Sequence, residues 1–179
     1  MDKMPKTSKY VLKLHYVPDN PWIIGGFLHQ YKEAFRELQL IRTTHGGTLP
    51  KDYLTELYQT PWIKLDSVFA ASCAHEICKF AKNHYDTNYA YVAGKKGCGN
   101  PKFEIIKENA ILFKPDRKHH SRLTIPNMTD DLKEMMRFLR DGQDHKNFSI
   151  GVRIDDQFIY LMFSTRYFQY YPGNDLNKT

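Results

Sequence analysis

Residues 103–125 read FEIIKENAILFKPDRKHHSRLTI, and this stretch decides the fold. It is rich in β-branched and aromatic residues and is divided by short polar segments, which is the pattern of consecutive β-strands. The pattern returns further along the chain, where Asp155-Asp156 predicts a tight turn joining two strands into a hairpin. The predicted strands of this half are Phe103–Ile106, Ala110–Lys114, Ser121–Ile125, Ser149–Ile154 and Gln157–Ser164.

The residues before this stretch are mainly helical in pattern, apart from one opening strand. Lys9 to Val17 alternates apolar residues with Lys and His, which predicts a half-buried strand that Pro18 ends. In the next segment, apolar residues recur at steps of three and four, as on one face of a helix. The predicted helices are Pro21–Arg42, Pro50–Tyr58 and Pro61–Tyr85, with a further one, Met128–Arg140, among the later strands.

This order of elements predicts an α+β protein in which a small antiparallel β-barrel carries an inserted helical lobe. Because the opening strand precedes the helices, we expect it to join the sheet that the later strands form. The barrel domain is then 1–18 together with 101–170, the lobe is 19–100, and 171–179 is a polar, loose tail.

The charge of the chain is concentrated in one segment. The net charge is +6, and residues 94–122 hold eight Lys or Arg against three acids, a net charge of +5. A cationic strip of this kind favours a polyanionic partner such as nucleic acid, although a merely solvated basic surface has the same composition. The aromatic content of 14% also suits base stacking, and it suits half-buried strands equally well.

No complete catalytic or metal centre can be assembled from the sequence, so we predict a protein without a cofactor or metal. Asp130-Asp131 is explained as a helix start and Asp155-Asp156 as a turn. Cys73 and Cys78, with His75 and Glu76 between them, are interpreted as part of a helix with buried thiols, because two cysteines five residues apart point to different helix faces. Acid–base chemistry at His119 or His120, as in a metal-independent ribonuclease, stays open as an alternative.

The compartment is predicted to be reducing and cytoplasmic. Three cysteines make no disulfide pattern, and no apolar run has the length of a membrane span or the form of a signal peptide. We therefore expect no membrane partner.

Four short motifs occur in a specific order: YVLKLHYVP at 10–18, Trp62-Ile63-Lys64 before an Ala/Ser-rich helix, Gly99-Asn100-Pro101-Lys102-Phe103, and Leu123-Thr124-Ile125-Pro126. Their order resembles the amino-terminal half of TnpB-type, transposon-encoded RNA-guided nucleases and compact type V CRISPR effectors. The resemblance covers roughly residues 9–165, and Glu104 departs from it because that family has a basic residue there.

The resemblance implies a wedge-like, OB-like barrel and a recognition lobe that hold a structured guide-type RNA or an RNA–DNA duplex, without the RuvC-like nuclease domain. The expected function is therefore non-catalytic binding, either as a partner of a separate nuclease or as an anti-CRISPR-like decoy that captures guide RNA or an effector. A protein-interaction module with no nucleic-acid role is the other alternative. The predicted phosphate contacts are Lys95, Lys96, Lys102, Lys114, Arg117, Lys118 and Arg122, and the predicted stacking residues are Tyr91 and Phe103, with Tyr89 beside them.

Overall fold

The computed structural model describes residues 9–59, 77–79, 81–82, 89–92, 102–145 and 148–164. The strands among them are β1 (Lys9–His15), β2 (Val17–Pro18), β3 (Ala90–Val92), β4 (Lys102–Lys107), β5 (Ala110–Lys114), β6 (Ser121–Thr124), β7 (Gly151–Ile154) and β8 (Phe158–Ser164). The helices are α1 (Pro21–Thr44), α2 (Tyr53–Tyr58) and α3 (Asp130–Gly142). Residues 77–79 and 81–82 are also helical, whereas the rest of the predicted helix Pro61–Tyr85 lies outside the described residues.

The strands form two antiparallel sheets of four strands each. The first sheet has the order β1-β8-β7-β3 and the second has the order β2-β6-β5-β4. β1 and β2 are separated by Tyr16 alone, so the predicted opening strand is divided between the two sheets. Tyr16 is buried and donates a hydrogen bond from its hydroxyl to the carbonyl oxygen of Asp155 at 2.6 Å, and burial raises its pKa. This hydrogen bond holds the point at which the chain passes from the first sheet to the second against the β7–β8 turn.

The predicted α+β class is confirmed, as is the pairing of the opening strand with a later one, since β1 pairs with β8 along its whole length. The turn at Asp155-Asp156 is confirmed as well, because it connects β7 and β8. β3 was not predicted and lies in a segment interpreted as a loop; its strand geometry comes from pairing with β7. No closed barrel is formed by the strands that the structure describes.

α1 contributes one buried face to the core. Its buried residues recur at the predicted helical spacing: Ile23, Ile24, Phe27, Gln30, Tyr31, Ala34, Leu38 and Ile41. Pro21 occupies the first turn, where its missing N–H costs nothing. Gly46 and Gly47, both with positive φ, terminate the helix, and the N–H of Gly47 satisfies the carbonyl of Arg42 at 2.7 Å.

α3 lies against the outer strand of the second sheet. The hydroxyl of Thr129 accepts a hydrogen bond from the N–H of Leu132, and Asp130 and Asp131 lie in the first turn, where negative charge is favourable. The interpretation of the two aspartates as a helix start is therefore confirmed.

One continuous hydrophobic core contains buried side chains of both sheets and of α1 and α3. The rings of Phe27 in α1 and Phe113 in β5 meet at a centroid distance of 4.9 Å and join the helix to the second sheet. The predicted lobe and the predicted barrel domain thus share a core, and each sheet has one face turned outward. Among the described residues, no helix combines the length and apolar character needed to cross a membrane.

Candidate nucleic-acid interface

The outward face of the second sheet carries three of the predicted phosphate contacts. In β4 and β5 the buried residues alternate with outward-facing ones, as the strand period of two requires. Lys102 and Lys114 are direct partners in the β4–β5 register, and Arg122 is opposite Leu112 in the β5–β6 register. The pairing of strands therefore brings together three cations that are up to twenty residues apart in sequence.

The loop between β5 and β6 adds Arg117 and Lys118, both exposed. The loop is organised by Asp116, whose side chain is only 3% exposed. Its carboxylate accepts hydrogen bonds from the backbone N–H groups of Lys118 and His119, each at 2.8 Å, and contacts Nδ1 of His119 at 2.9 Å. Because the carboxylate is satisfied inside the loop, the two cationic side chains are left at the surface.

The start of α1 is bound to this loop. Asp19 accepts hydrogen bonds from the N–H of Arg122 at 2.8 Å and from the hydroxyl of Ser121 at 3.1 Å. The side-chain amide of Asn20 donates to the carbonyl of His120 at 3.1 Å. These contacts fix the β5–β6 loop relative to the helix.

Trp22, in the first turn of α1, is an aromatic residue that the sequence analysis missed. It is 55% exposed, and its ring meets the ring of His119 edge-on at a centroid distance of 5.7 Å. An exposed indole beside the loop that carries Arg117 and Lys118 is a suitable platform for base stacking. Nothing in the sequence singled out Trp22, because its exposure depends on which side of α1 the rest of the fold leaves uncovered.

We name the combined surface of Lys102, Lys114, Arg117, Lys118 and Arg122 the basic face. Glu104 lies on the same side of β4 and reduces its charge. A pocket of about 200 Å³ is present here, lined by Lys102, Phe103, Glu104, Leu112 and Lys114. The face is thus cationic and shallowly indented, which suits a polyanion chain better than a compact ligand.

The remaining predicted site residues are not assembled here. The prediction that Phe103 stacks on bases is wrong, because its side chain is 2% exposed and packs in the core together with Ile105 and Phe113. Tyr91 has its backbone in β3 of the other sheet, and Tyr89 contacts Arg153 and Tyr160 there. Lys95 and Lys96 lie outside the described residues.

The described residues include no group of three or more His, Cys, Asp or Glu side chains able to hold a metal ion. Cys78 is fully buried, and burial raises the pKa of its thiol to about 12, as the buried-thiol interpretation predicts. Cys73, His75, Glu76 and Cys98 lie outside the described part of the chain.

Comparison with known proteins returns no matching family model, no matching curated protein and no matching solved structure.

Proposed function

We propose that the protein binds nucleic acid, and specifically structured RNA, through the basic face. The observation that carries this proposal is that strand pairing brings Lys102, Lys114 and Arg122 together on one side of the second sheet, and that the loop following Lys114 adds the exposed Arg117 and Lys118. Cations spread along a sheet face follow a phosphate backbone, while Trp22 at the rim offers a ring to an unpaired base.

The resemblance of the sequence motifs to TnpB-type nucleases supports a guide-type RNA or an RNA–DNA duplex as the ligand. In this proposal the two sheets belong to a wedge-like, OB-like barrel and the protein holds the nucleic acid without cutting it. It acts either beside a separate nuclease or as a decoy for guide RNA. Co-purification distinguishes these two roles, because the first predicts a nuclease partner and the second predicts RNA alone or an inhibited effector.

The salt dependence of binding tests the proposal. With five phosphate contacts on a duplex, the logarithm of the binding constant should fall with the logarithm of salt concentration with a slope of roughly −4.5, through counterion release. Filter binding of a labelled RNA hairpin between low and moderate salt measures this slope. A flat profile together with tight binding of an acidic protein would instead assign a protein-interaction role.

A pair of charge-matched variants tests the location. Lys114→Glu changes an exposed lysine of the basic face, and Lys51→Glu changes an exposed lysine before α2 by the same charge. We expect Lys114→Glu to weaken hairpin binding about tenfold and to reduce the salt slope by about 1 unit, whereas Lys51→Glu leaves both unchanged. Equal losses in the two variants would mean that only the net charge matters and that the basic face is not the site.

A second candidate function is metal-independent RNA cleavage at His119. The observation in its favour is the contact of His119 Nδ1 with both carboxylate oxygens of Asp116, at 2.9 and 3.0 Å, which orients the ring as in a general base. Incubation of the hairpin in chelator decides between binding and cleavage. Cleavage that His119→Ala abolishes would establish the enzyme, and intact RNA with wild-type protein would exclude it.

A further inference from the structure

The outward face of the first sheet combines cations with aromatic rings. By the β1–β8 register, Lys13 is opposite Tyr160 and His15 is opposite Phe158. Arg153 of β7 is the partner of Tyr160 on its other side. Lys9 lies four residues before Lys13 in β1, so it is on the same face of the sheet, and it is exposed. We name the group of Lys9, Lys13, His15, Arg153, Phe158 and Tyr160 the stacking face. Within it Phe158 is half-buried, whereas Tyr160 is only 8% exposed and has the guanidinium of Arg153 over its ring.

Two cations of the stacking face, Lys13 and Arg153, are held over rings. The ammonium nitrogen of Lys13 is 4.1 Å from the ring centroid of Phe158. The guanidinium of Arg153 is 4.8 Å from the ring centroid of Tyr160 and 4.9 Å from that of Tyr89. Such contacts fix the side chains without neutralising them, so the positive charge remains available.

Carboxylates do not neutralise this face within the part of the chain that the structure describes. Lys9, Lys13 and Arg153 form no ion pair there, and the buried Nε of Arg153 has no hydrogen-bond partner. The acid nearest to Arg153 in sequence is Asp155, whose Oδ1 accepts hydrogen bonds from the N–H groups of Gln157 and Phe158 at 2.8 and 2.6 Å and whose Oδ2 accepts one from the hydroxyl of Tyr160 at 3.4 Å. An anion bound beside Arg153 would accept a hydrogen bond from this Nε.

Resting on the proposed function, we propose that the stacking face binds single-stranded nucleic acid. Its half-buried ring, Phe158, lies under the ammonium group of Lys13, so an unpaired base can replace that cation over the ring while a phosphate contacts the displaced side chain. Paired bases in a duplex cannot reach rings on a sheet surface. An anionic membrane fits less well, because Val11 is the one large aliphatic residue exposed on this face among the described positions. The basic face then holds the structured part of an RNA and the stacking face its unpaired part.

Two RNAs and three exposed-lysine variants test this assignment. Fluorescence anisotropy is measured with a hairpin and with a labelled oligouridylate of about twelve nucleotides, within the ~4–16 that a small β-fold covers. Lys13→Glu should weaken oligouridylate binding and reduce its salt slope by about 0.7, with hairpin affinity unchanged. Lys114→Glu should weaken hairpin binding and leave oligouridylate affinity unchanged. Lys51→Glu should change neither affinity.

The outcomes separate the two proposals. If Lys13→Glu leaves oligouridylate binding unchanged while Lys114→Glu weakens hairpin binding, the stacking face is wrong and the proposed function stands. If the hairpin does not bind while Lys13→Glu weakens oligouridylate binding, the basic face is wrong and the stacking face stands. Binding of phosphatidylserine vesicles without binding of oligouridylate would overturn the assignment in favour of a membrane.

The contribution of the rings is tested by Phe158→Leu, which removes an aromatic face but keeps apolar volume. We expect oligouridylate affinity to fall by roughly 5- to 150-fold, the range observed when one stacked base loses its ring, with the salt slope unchanged. Thermal unfolding shows whether the variant is folded. Independently of that variant, ultraviolet crosslinking of oligouridylate to the wild-type protein should label the peptide containing Phe158 and Tyr160, and labels confined to other peptides would contradict the assignment.

Discussion

At the scale of single residues, Asp116 organises the loop that carries two cations of the basic face. A carboxylate that is almost fully buried needs hydrogen bonds to compensate for lost hydration, and Asp116 obtains them from the loop that it organises. The same contacts leave Arg117 and Lys118 at the surface. One acidic residue therefore holds the loop in a conformation that presents the two cations following it in sequence.

Replacement of Asp116 tests this dependence. Asp116→Ala leaves the N–H groups of Lys118 and His119 without their acceptor, which should lower the free energy of unfolding by roughly 1–3 kcal/mol and weaken hairpin binding. Denaturant unfolding and filter binding measure the two effects. Asp52→Ala is the control, because Asp52 is exposed and makes no side-chain cap. If Asp116→Ala binds RNA like wild type, the loop does not depend on this carboxylate.

The thiol of Cys78 predicts an alkaline loss of stability. Burial raises its pKa from 9.0 to about 12, so between these values the unfolded chain has lost a proton that the folded chain retains. Unfolding is therefore favoured as pH rises from 9 towards 12, and stability is fully present below pH 9. In Cys78→Ala the fall in unfolding free energy should be shallower by up to about 1.4 kcal/mol per pH unit. Parallel pH profiles of the two proteins would contradict this.

At the scale of elements, α3 protects the outer strand of the second sheet. Gln143, directly after the helix, accepts a hydrogen bond from the N–H of Ile105 at 2.9 Å and donates to its carbonyl at 2.7 Å. Its side-chain amide thus occupies the position of a neighbouring strand beside β4. Covering an edge in this way prevents it from pairing with another chain.

Removal of this amide should expose the edge. Gln143→Ala leaves a buried N–H and a buried carbonyl unsatisfied, at a cost of roughly 1–3 kcal/mol for each group, and we expect increased self-association. Denaturant unfolding and sedimentation measure the two effects. Gln59→Ala, at the exposed end of α2, should change neither. A monomeric Gln143→Ala protein of wild-type stability would show that the amide is dispensable.

At the scale of the whole molecule, one core supports two outward sheet faces, and the function proposed for each depends on that core. The contact of Phe27 with Phe113 links α1 to the second sheet, while the crossing at Tyr16 links the second sheet to the first. The basic face and the stacking face should consequently be lost together when the core fails.

Two phenylalanines of α1 test this coupling with the same chemical change. Phe27 is fully buried and Phe35 is half-buried, so Phe27→Ala should destabilise by roughly 3–5 kcal/mol and Phe35→Ala by clearly less. Thermal unfolding followed with hairpin and oligouridylate binding should show a single transition that abolishes both activities. Separate transitions for the two RNAs would mean that the faces belong to independently folding parts.

The candidate site was only partly predictable from the sequence. Strand alternation could have corrected the prediction that Phe103 stacks on bases. A period of two places Phe103 on the same side of β4 as the buried Ile105, while Lys102 and Glu104 lie on the other side. The stacking face could not be found in this way, because its cations in β1 and its rings in β8 are about 145 residues apart and meet through the register. Trp22 likewise required knowledge of which side of α1 stays uncovered.

The sequence by itself determined the α+β class, the bounds of α1 and α3 to within a few residues, and the concentration of charge in one segment. These follow from hydrophobic period, capping residues and composition, which act between near neighbours in the chain. Only the tertiary structure decided that the opening strand divides between two sheets, that β3 exists, and which cations and rings share a surface. Strand pairing couples residues that are far apart in sequence, and the register is set by the packing of the whole core.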